Sequence, residues 1–257
     1  MFFCFFLCEK FPAIATDINK TKFFLYATHL KFRGVRIQLS EKSAQHQKNK
    51  PTPQRFKDGS YEKLEIDTIL PYINDDTVIL NLGASVGGLA SVVNNKMKIK
   101  TNMVAVEANP NLIEDLNNNK NINNLGFHIE HGAISSTNKK VHFNFNGLSL
   151  SGSIFRKKWL EGNKWGKYNS LEMDTITPMD LETKYNLKFN TLSCDIEGEE
   201  LTLLEDLIEY FKNFKVMVVE FHNYQEDSKI RIKQIVKKYS SYFEITDLGH
   251  SMKFIKK

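Results

Sequence analysis

Short continuous apolar runs alternate with segments of helical apolar spacing along most of this chain. Val78-Ile-Leu-Asn-Leu82, Met103-Val-Ala-Val106, Thr191-Leu-Ser-Cys-Asp195 and Val216-Met-Val-Val219 have the length and continuity of strands buried on both faces of a parallel sheet. Between Tyr61 and Ile73, Leu64, Ile66, Ile69, Leu70 and Ile73 approximate one face of a helix, with a break near Pro71. Pro110 reads as a helix start ahead of Leu112, Ile113 and Leu116, and two further helices are predicted over Leu201 to Phe211 and Ile230 to Tyr239. Another unit lies around Phe127 to Ile134, an alternating strand at Val141-His-Phe-Asn-Phe145, and two closing strands near Phe243 and Phe254. Strand followed by helix, repeated, predicts an α/β fold: a mostly parallel sheet of about seven strands with helices on both faces.

Two stretches stand outside this alternation. Residues 1–57 form a basic N-terminal extension with aromatic pieces such as Phe23-Phe-Leu-Tyr26, a strand-like run Gly34-Val-Arg-Ile-Gln-Leu39, and a linker expected at Lys48-Asn-Lys-Pro-Thr-Pro53. The main domain is expected over residues 58–257. Between about 147 and 171, a segment holding Ser151, Ser153, Arg156, Trp159 and Trp165 is too long for an ordinary connection and reads as a lid-like insertion. Its tryptophans could stack on sugar faces or simply pack.

Composition changes this picture little. Apolar residues make up 41% and charged residues 25% of the chain, which excludes wholesale disorder and a membrane bundle. The net charge of +5 comes from lysines spread among many acids, so a solvated basic face is expected and no specific nucleic-acid partner. Cys4, Cys8 and Cys194 make neither a disulfide framework nor a spaced zinc set, which suits a reducing, cytoplasmic setting. The apolar run Met1 to Cys8 stops at Glu9-Lys10, short of the roughly 20 residues of a transmembrane helix, and lacks the flanks of a signal peptide.

Candidate chemistry begins where the first buried strand ends. Asn81-Leu-Gly-Ala-Ser-Val-Gly-Gly88 is a glycine-rich turn between strand and helix, where backbone can approach a ligand at a helix N-terminus. A dinucleotide fingerprint wants a glycine where Ser85 stands, because pyrophosphate must approach the backbone there. Glu107 ends the next strand, about where an acid accepts hydrogen bonds from ribose hydroxyls. Gly83 and Gly87 serving only helix packing, with Glu107 facing water, is the plainer alternative for each feature taken singly. Their order along the chain favours a nucleoside ligand without pyrophosphate.

These residues, with Glu107-Ala-Asn-Pro110, Gly132-Ala-Ile-Ser135, Asp195-Ile-Glu-Gly-Glu-Glu200 and Val219-Glu-Phe-His222, resemble the FkbM family of methyltransferases over roughly Tyr61 to His222. The resemblance implies a Rossmann-like class I methyltransferase fold, S-adenosylmethionine as cofactor, and O-methylation, often of a hydroxyl on a sugar, glycan, glycolipid or related small molecule. It implies cofactor contacts from Asn81, Gly83, Ala84, Gly87, Glu107, Ala108, Asn109, Gly132 and Ala133. Two residues depart from the family pattern: Asn81 stands where Asp is usual, and Ser193 where Lys is frequent. Asn81 can still hydrogen-bond, but it carries no charge for the cofactor's ammonium group.

Methyl transfer to a hydroxyl needs in-line positioning and a base. Asp195 and Glu197 follow one predicted strand, while Glu220, His222 and Asn223 end or follow the next, bordering the crevice where such sheets bind ligands. Asp195 or His222 is the expected base, with Glu197 beside them. Asp195, Glu220 and Asn223 could instead hold a divalent cation such as Mg²⁺, which would acidify the hydroxyl. Glu199 and Glu205 are expected as ordinary solvated residues of a helix start. The alternatives are a nucleic-acid or protein methyltransferase, or a binding module that has lost catalysis. Against an exocyclic-amine methylase stands Asp195-Ile-Glu-Gly198, where such enzymes carry Asn/Asp-Pro-Pro-aromatic.

Overall fold

The computed structural model describes residues 30–47, 49–146, 152–154, 169–223 and 225–257. The Phe23 to Tyr26 run, Cys4, Cys8, Ser151, Arg156, Trp159 and Trp165 lie outside the described residues. A hairpin of β1 (Leu30–Phe32) and β2 (Val35–Ile37) comes first, then α1 (Glu41–Gln47), α2 (Thr52–Asp58) and α3 (Lys63–Ile69), which a single 3-10 turn at Leu70–Tyr72 closes around Pro71. The central elements are β3 (Ile79–Leu82), α4 (Gly88–Lys96), β4 (Met103–Glu107), α5 (Ile113–Ile122) and β5 (His128–His131). After β6 (Ala133–Ile134), β7 (Lys140–Phe145), β8 (Gly152–Ser153) and β9 (Asn169–Ile176), the chain returns through α6 (Pro178–Tyr185) to β10 (Thr191–Cys194). It finishes with α7 (Glu200–Asp206), α8 (Ile208–Phe211), β11 (Val216–Glu220), α9 (Ser228–Tyr239), β12 (Phe243–Asp247) and β13 (Ser251–Lys256).

Seven strands form the central sheet in the order β12-β13-β11-β10-β3-β4-β5. All neighbours are parallel except β13, which runs antiparallel to both β11 and β12. Every residue of β3, β4 and β10 is buried, as continuous apolar runs require when helices cover both faces. Alternate residues divide between two cores. Met103 and Ala105 join Leu89, Val92 and Leu116 on one face, while Val104 and Val106 join Leu204, Ile235 and Tyr239 on the other. From β3 the chain steps outward to β4 and β5, then returns to lay β10 and β11 on the opposite side of β3. The strand order reverses between β3 and β10, and a crevice opens there at the carboxyl ends.

The boundary drawn near residue 57 does not coincide with an edge of the core. Leu30, Phe32, Ile37, Leu39 and Phe56 are buried in the same cluster as the β3–β4 face. Phe56 stacks on Tyr61 at 4.1 Å between centroids, with Phe32 edge-on at 5.1 Å. Backbone N–H groups of Gln38 and Ser40 donate to Asn119 and Asp115 of α5, both at 2.6 Å. The segment expected as a linker opens α2 instead: Pro51 sits at its N-cap, and proline's fixed φ suits a first helical turn.

A second, four-stranded sheet, β6-β9-β7-β8, takes the alternating strand Val141 to Phe145 out of the central sheet. The ends of the insertion expected as a lid enter it, with Gly152 opposite Phe145 and Asn169 also paired to Phe145.

Candidate active site

The tips of β3 and β10 touch. Gly83 has φ +80°, and a Cβ there would lie 1.7 Å from the Asp195 carbonyl oxygen, so only glycine lets the two strand ends pass. Beside it, Gly83 and Ala84 both donate to the Val106 carbonyl, at 3.0 and 2.9 Å, and tie the turn to β4. Gly87, the N-cap of α4, also has a left-handed backbone; its missing side chain makes room for Leu116, whose Cδ1 would be 2.7 Å from an added Cβ.

Glu107 is buried at the end of β4. Ser85 N–H donates to its Oε2 and Asn109 N–H to its Oε1, both at 2.7 Å. Burial pushes its carboxyl up to about 7, against the lowering effect of those amides. With about four acceptor sites, the carboxylate keeps capacity beyond the backbone donors of Ser85, Asn109 and Ala108. A cleft opens over this carboxylate at the carboxyl ends of the strands.

Gly83, Glu107, Ala108, Gly132 and Ala133 line that cleft, as do Asp195 and Glu197. Asn81, Ala84, Gly87 and Asn109 are buried behind its wall. Their positions follow from local geometry: Asn81 lies inside β3, its Oδ1 enclosed without a hydrogen-bond partner, and Gly87 packs on α5. Tyr61, Glu62, Ser85 and Glu199 also line the cleft, though nothing in their local pattern singles them out. Glu62, Ser85 and Glu197 have φ of 44°, 51° and 58°, so left-handed non-glycine backbone gathers at this cleft.

On the β10–β11 side, His222 is the centre of an acidic ring. Its Nδ1 lies 3.0 Å from Glu200 Oε1, and its Nε2 lies 3.5 Å from Glu197 and 3.8 Å from Asp195 and Glu220. Glu200 is wholly buried and also accepts from Ile196 and Gly198 N–H groups, at 3.0 and 2.8 Å, so it fixes the loop after β10 and the imidazole together. Burial works to lower the His222 pKa, but Glu200, Glu197 and Asp195 outweigh it and raise it to about 9. Burial, then the Glu220 charge, pushes Asp195 well above the usual carboxylate range despite His222.

Two expectations need correction. Glu199 is buried and not solvated: it accepts from Ser135 Oγ at 2.8 Å and from Lys139 Nζ at 3.1 Å. Glu205 is partly buried against Arg231, whose Nε and second terminal nitrogen reach it at 3.0 and 2.6 Å. Of the expected cation set Asp195, Glu220 and Asn223, Asn223 is exposed; among the described His, Cys, Asp and Glu residues, the ligand atoms that approach within 4.8 Å of one another belong to Asp195, Glu200 and His222, with Glu220 3.8 Å from His222.

The methyltransferase FkbM domain family matches residues 81–254, well over half of the chain. The chain belongs to the FkbM methyltransferase family. No curated protein matches it. Among solved structures it is similar to an rRNA methylase from Streptococcus thermophilus (7% identity, 76% of this chain and 95% of that one, TM-score 0.45). It is also similar to a precorrin-6y C5,15-methyltransferase from Geobacter metallireducens (10%, 75% and 84%, 0.41) and a ribosomal protein L11 methylase from Lactobacillus delbrueckii subsp. bulgaricus (10%, 76% and 77%, 0.42).

Membership in the FkbM family implies S-adenosylmethionine as methyl donor, and the donor set on the β3–β4 side fits it. A desolvated carboxylate with spare acceptor capacity suits a ribose diol, and Ala108, Ala133 and Ile134 offer an apolar edge for a base. Among the described residues, no helix of this FkbM protein is long and apolar enough to cross a membrane.

Proposed function

We propose that this FkbM-family protein methylates a hydroxyl group on a sugar, glycan, glycolipid or related small molecule, with Asp195 as the base. One observation carries the reading. A second, more open cavity adjoins the cofactor cleft, and Tyr61, Glu62, Asp195 and Glu197 border both. An acceptor entering there meets Asp195 at the boundary between the two.

S-adenosylmethionine supplies an electrophilic methyl group when bound. The chain's own task is to orient the acceptor oxygen and remove its proton. Asp195, made a stronger base than an ordinary carboxylate by burial, accepts that proton on a carboxylate oxygen. His222, with its raised pKa, stays protonated near neutrality and offsets the charge of Glu197, Glu200 and Glu220, so it serves better as the ring's cation than as the base. The acceptor cavity is lined mostly by polar groups, among them Gln47, Thr52, Arg55, Ser60 and Glu65, which suits a polyhydroxylated ligand. Its lysines and arginine also favour the rival reading, an RNA or protein acceptor, but Glu65, Glu197 and Glu220 line the same cavity and oppose phosphate. A divalent cation would draw on Asp195, Glu200 and His222.

The test is transfer of an isotope-labelled methyl group from S-adenosylmethionine to panels of oligosaccharides, glycolipids, RNA and proteins. Label in the carbohydrate fraction supports the reading, with a loss of roughly 10²–10⁴-fold for Asp195→Asn. Label in RNA or protein overturns it. Parallel runs with EDTA and with added Mg²⁺ separate a base at Asp195 from a metal-activated hydroxyl.

A further inference from the structure

Resting on that reading of the cofactor cleft, we infer that Glu62 holds the ammonium group of S-adenosylmethionine, a charge that Asn81 cannot match from β3. S-adenosylmethionine carries two cations, a sulfonium and an ammonium, and a cleft that takes it must offer anionic partners that are not already neutralised.

Five carboxylates line the cleft, and four of them are committed. Glu107 is held by the backbone amides of Ser85, Ala108 and Asn109 at the β4 tip. Asp195 and Glu197 lie within 4 Å of the His222 ring. Glu199 is paired with Lys139. The fifth, Glu62, accepts from Leu89 N–H at 3.0 Å through Oε2 and from the Tyr61 hydroxyl, with the Arg55 charge farther off, and no ion pair within 4 Å reaches it among the described residues. Its carboxylate therefore caps the first turn of α4, directly after the glycine loop, and its two neutral donors leave its charge and further lone pairs for a cation in the cleft.

Two further features point the same way. Glu62 starts α3 from a left-handed backbone, φ 44° and ψ 36°, where glycine or asparagine would be cheaper. Burial also raises its carboxyl to about 8, a cost that a bound cation would offset. Asn81 has only a neutral amide and is not among the cleft-lining groups. The negative charge at the amino-acid end of the cofactor thus comes from the helix before β3 and not from the strand itself. Glu62 is a binding residue on this account, not the base.

Three probes separate the possibilities in calorimetric titrations: S-adenosylmethionine, S-adenosylhomocysteine, which keeps the ammonium but loses the sulfonium charge, and 5′-methylthioadenosine, which has neither. Glu62→Gln retains an oxygen to cap Leu89, and circular dichroism checks that it folds. The expected result is a loss of about tenfold or more for the first two probes with no change for the third. Glu107→Gln should weaken all three. Equal binding by Glu62→Gln and wild type, equal weakening of all three probes, or weakening of S-adenosylmethionine alone would each overturn the assignment. A folded wild type that binds none of the three would remove the cofactor reading itself, and this inference with it. If Glu62→Gln does not fold, Glu62→Asp answers instead: a weakened response limited to the two amino-acid-bearing probes supports the assignment, and unchanged affinity overturns it.

Discussion

The two sides of the crevice hold their acids by different means. On the β3–β4 side, Glu107 is fixed by backbone N–H groups of Ser85, Ala108 and Asn109, with no side-chain cation paired to it among the described residues. On the β10–β11 side, Asp195, Glu197, Glu200 and Glu220 surround one imidazole. The first arrangement is a socket whose shape belongs to the backbone and survives most side-chain changes nearby. The second is a charge balance in which each member sets the state of the others, so removing one group perturbs all of them. On the proposed function, ligand binding and proton transfer would be divided between a rigid wall and an electrostatic ring.

The largest effect should come from the point where the two sides meet. Gly83→Ala drives a methyl group into the Asp195 carbonyl and adds a side chain to a left-handed backbone, so denaturant unfolding should show a loss of roughly 3 kcal/mol or more. Unchanged stability would mean that the strand tips part easily and are not one site. Next in size, His222→Ala leaves the carboxylate ring without its cation and Glu200 Oε1 without its imidazole partner, for a cost of about 2–3 kcal/mol. That loss should shrink as pH rises through about 9, where His222 gives up its proton in the folded wild type. A pH-independent loss would count against a charge balance.

Smaller, and specific to the socket, is the pH dependence of the ligand-free protein. Glu107 and Glu62 are raised to about 7 and about 8, so the folded state binds protons that the unfolded chain has released. Their contribution is complete below the ordinary carboxylate pKa and is lost as pH rises through those values, and His222, raised to about 9, adds a loss of the same sign. The Tm should therefore fall from about pH 5 to about pH 9, with stability lost at roughly 1 kcal/mol per pH unit for each carboxylate between its unfolded and folded pKa, and Glu107→Gln should flatten the fall. A Tm that rises across this interval would contradict the burial of both acids.

The socket's frame was legible in the chain and much of its lining was not, for physical reasons. Strands β3, β4, β10 and β11 announce themselves because parallel strands buried on both faces must be continuous apolar runs. Glu107 could be placed because the glycine turn fixes the next strand's end. The helix expected over Leu201 to Phe211 is two, α7 and α8, which part at Leu207, where φ is −107° and ψ 30°; apolar spacing carries straight through such a kink. Glu199 looks solvated in sequence, since acids at a helix start usually are. Only the fold reveals Lys139 and Ser135 around it, and His222 against its neighbour Glu200. Tyr61 and Glu62 reach the cleft from a helix before β3, a contact set by packing on Phe56 and by the α4 cap. Asn81 and Gly87 sit in the motif but are buried outside the cleft lining, Asn81 within β3 and Gly87 against Leu116 of α5.

The central claim is that the β3–β4 socket binds S-adenosylmethionine through Glu107, and calorimetric titration of wild type and Glu107→Ala with S-adenosylmethionine and S-adenosylhomocysteine tests it most directly. Binding by the wild type that weakens at least tenfold in the variant, about 1.4 kcal/mol, is the predicted result. Failure of the folded wild type to bind either compound, with or without Mg²⁺, or equal binding by the variant, would contradict it.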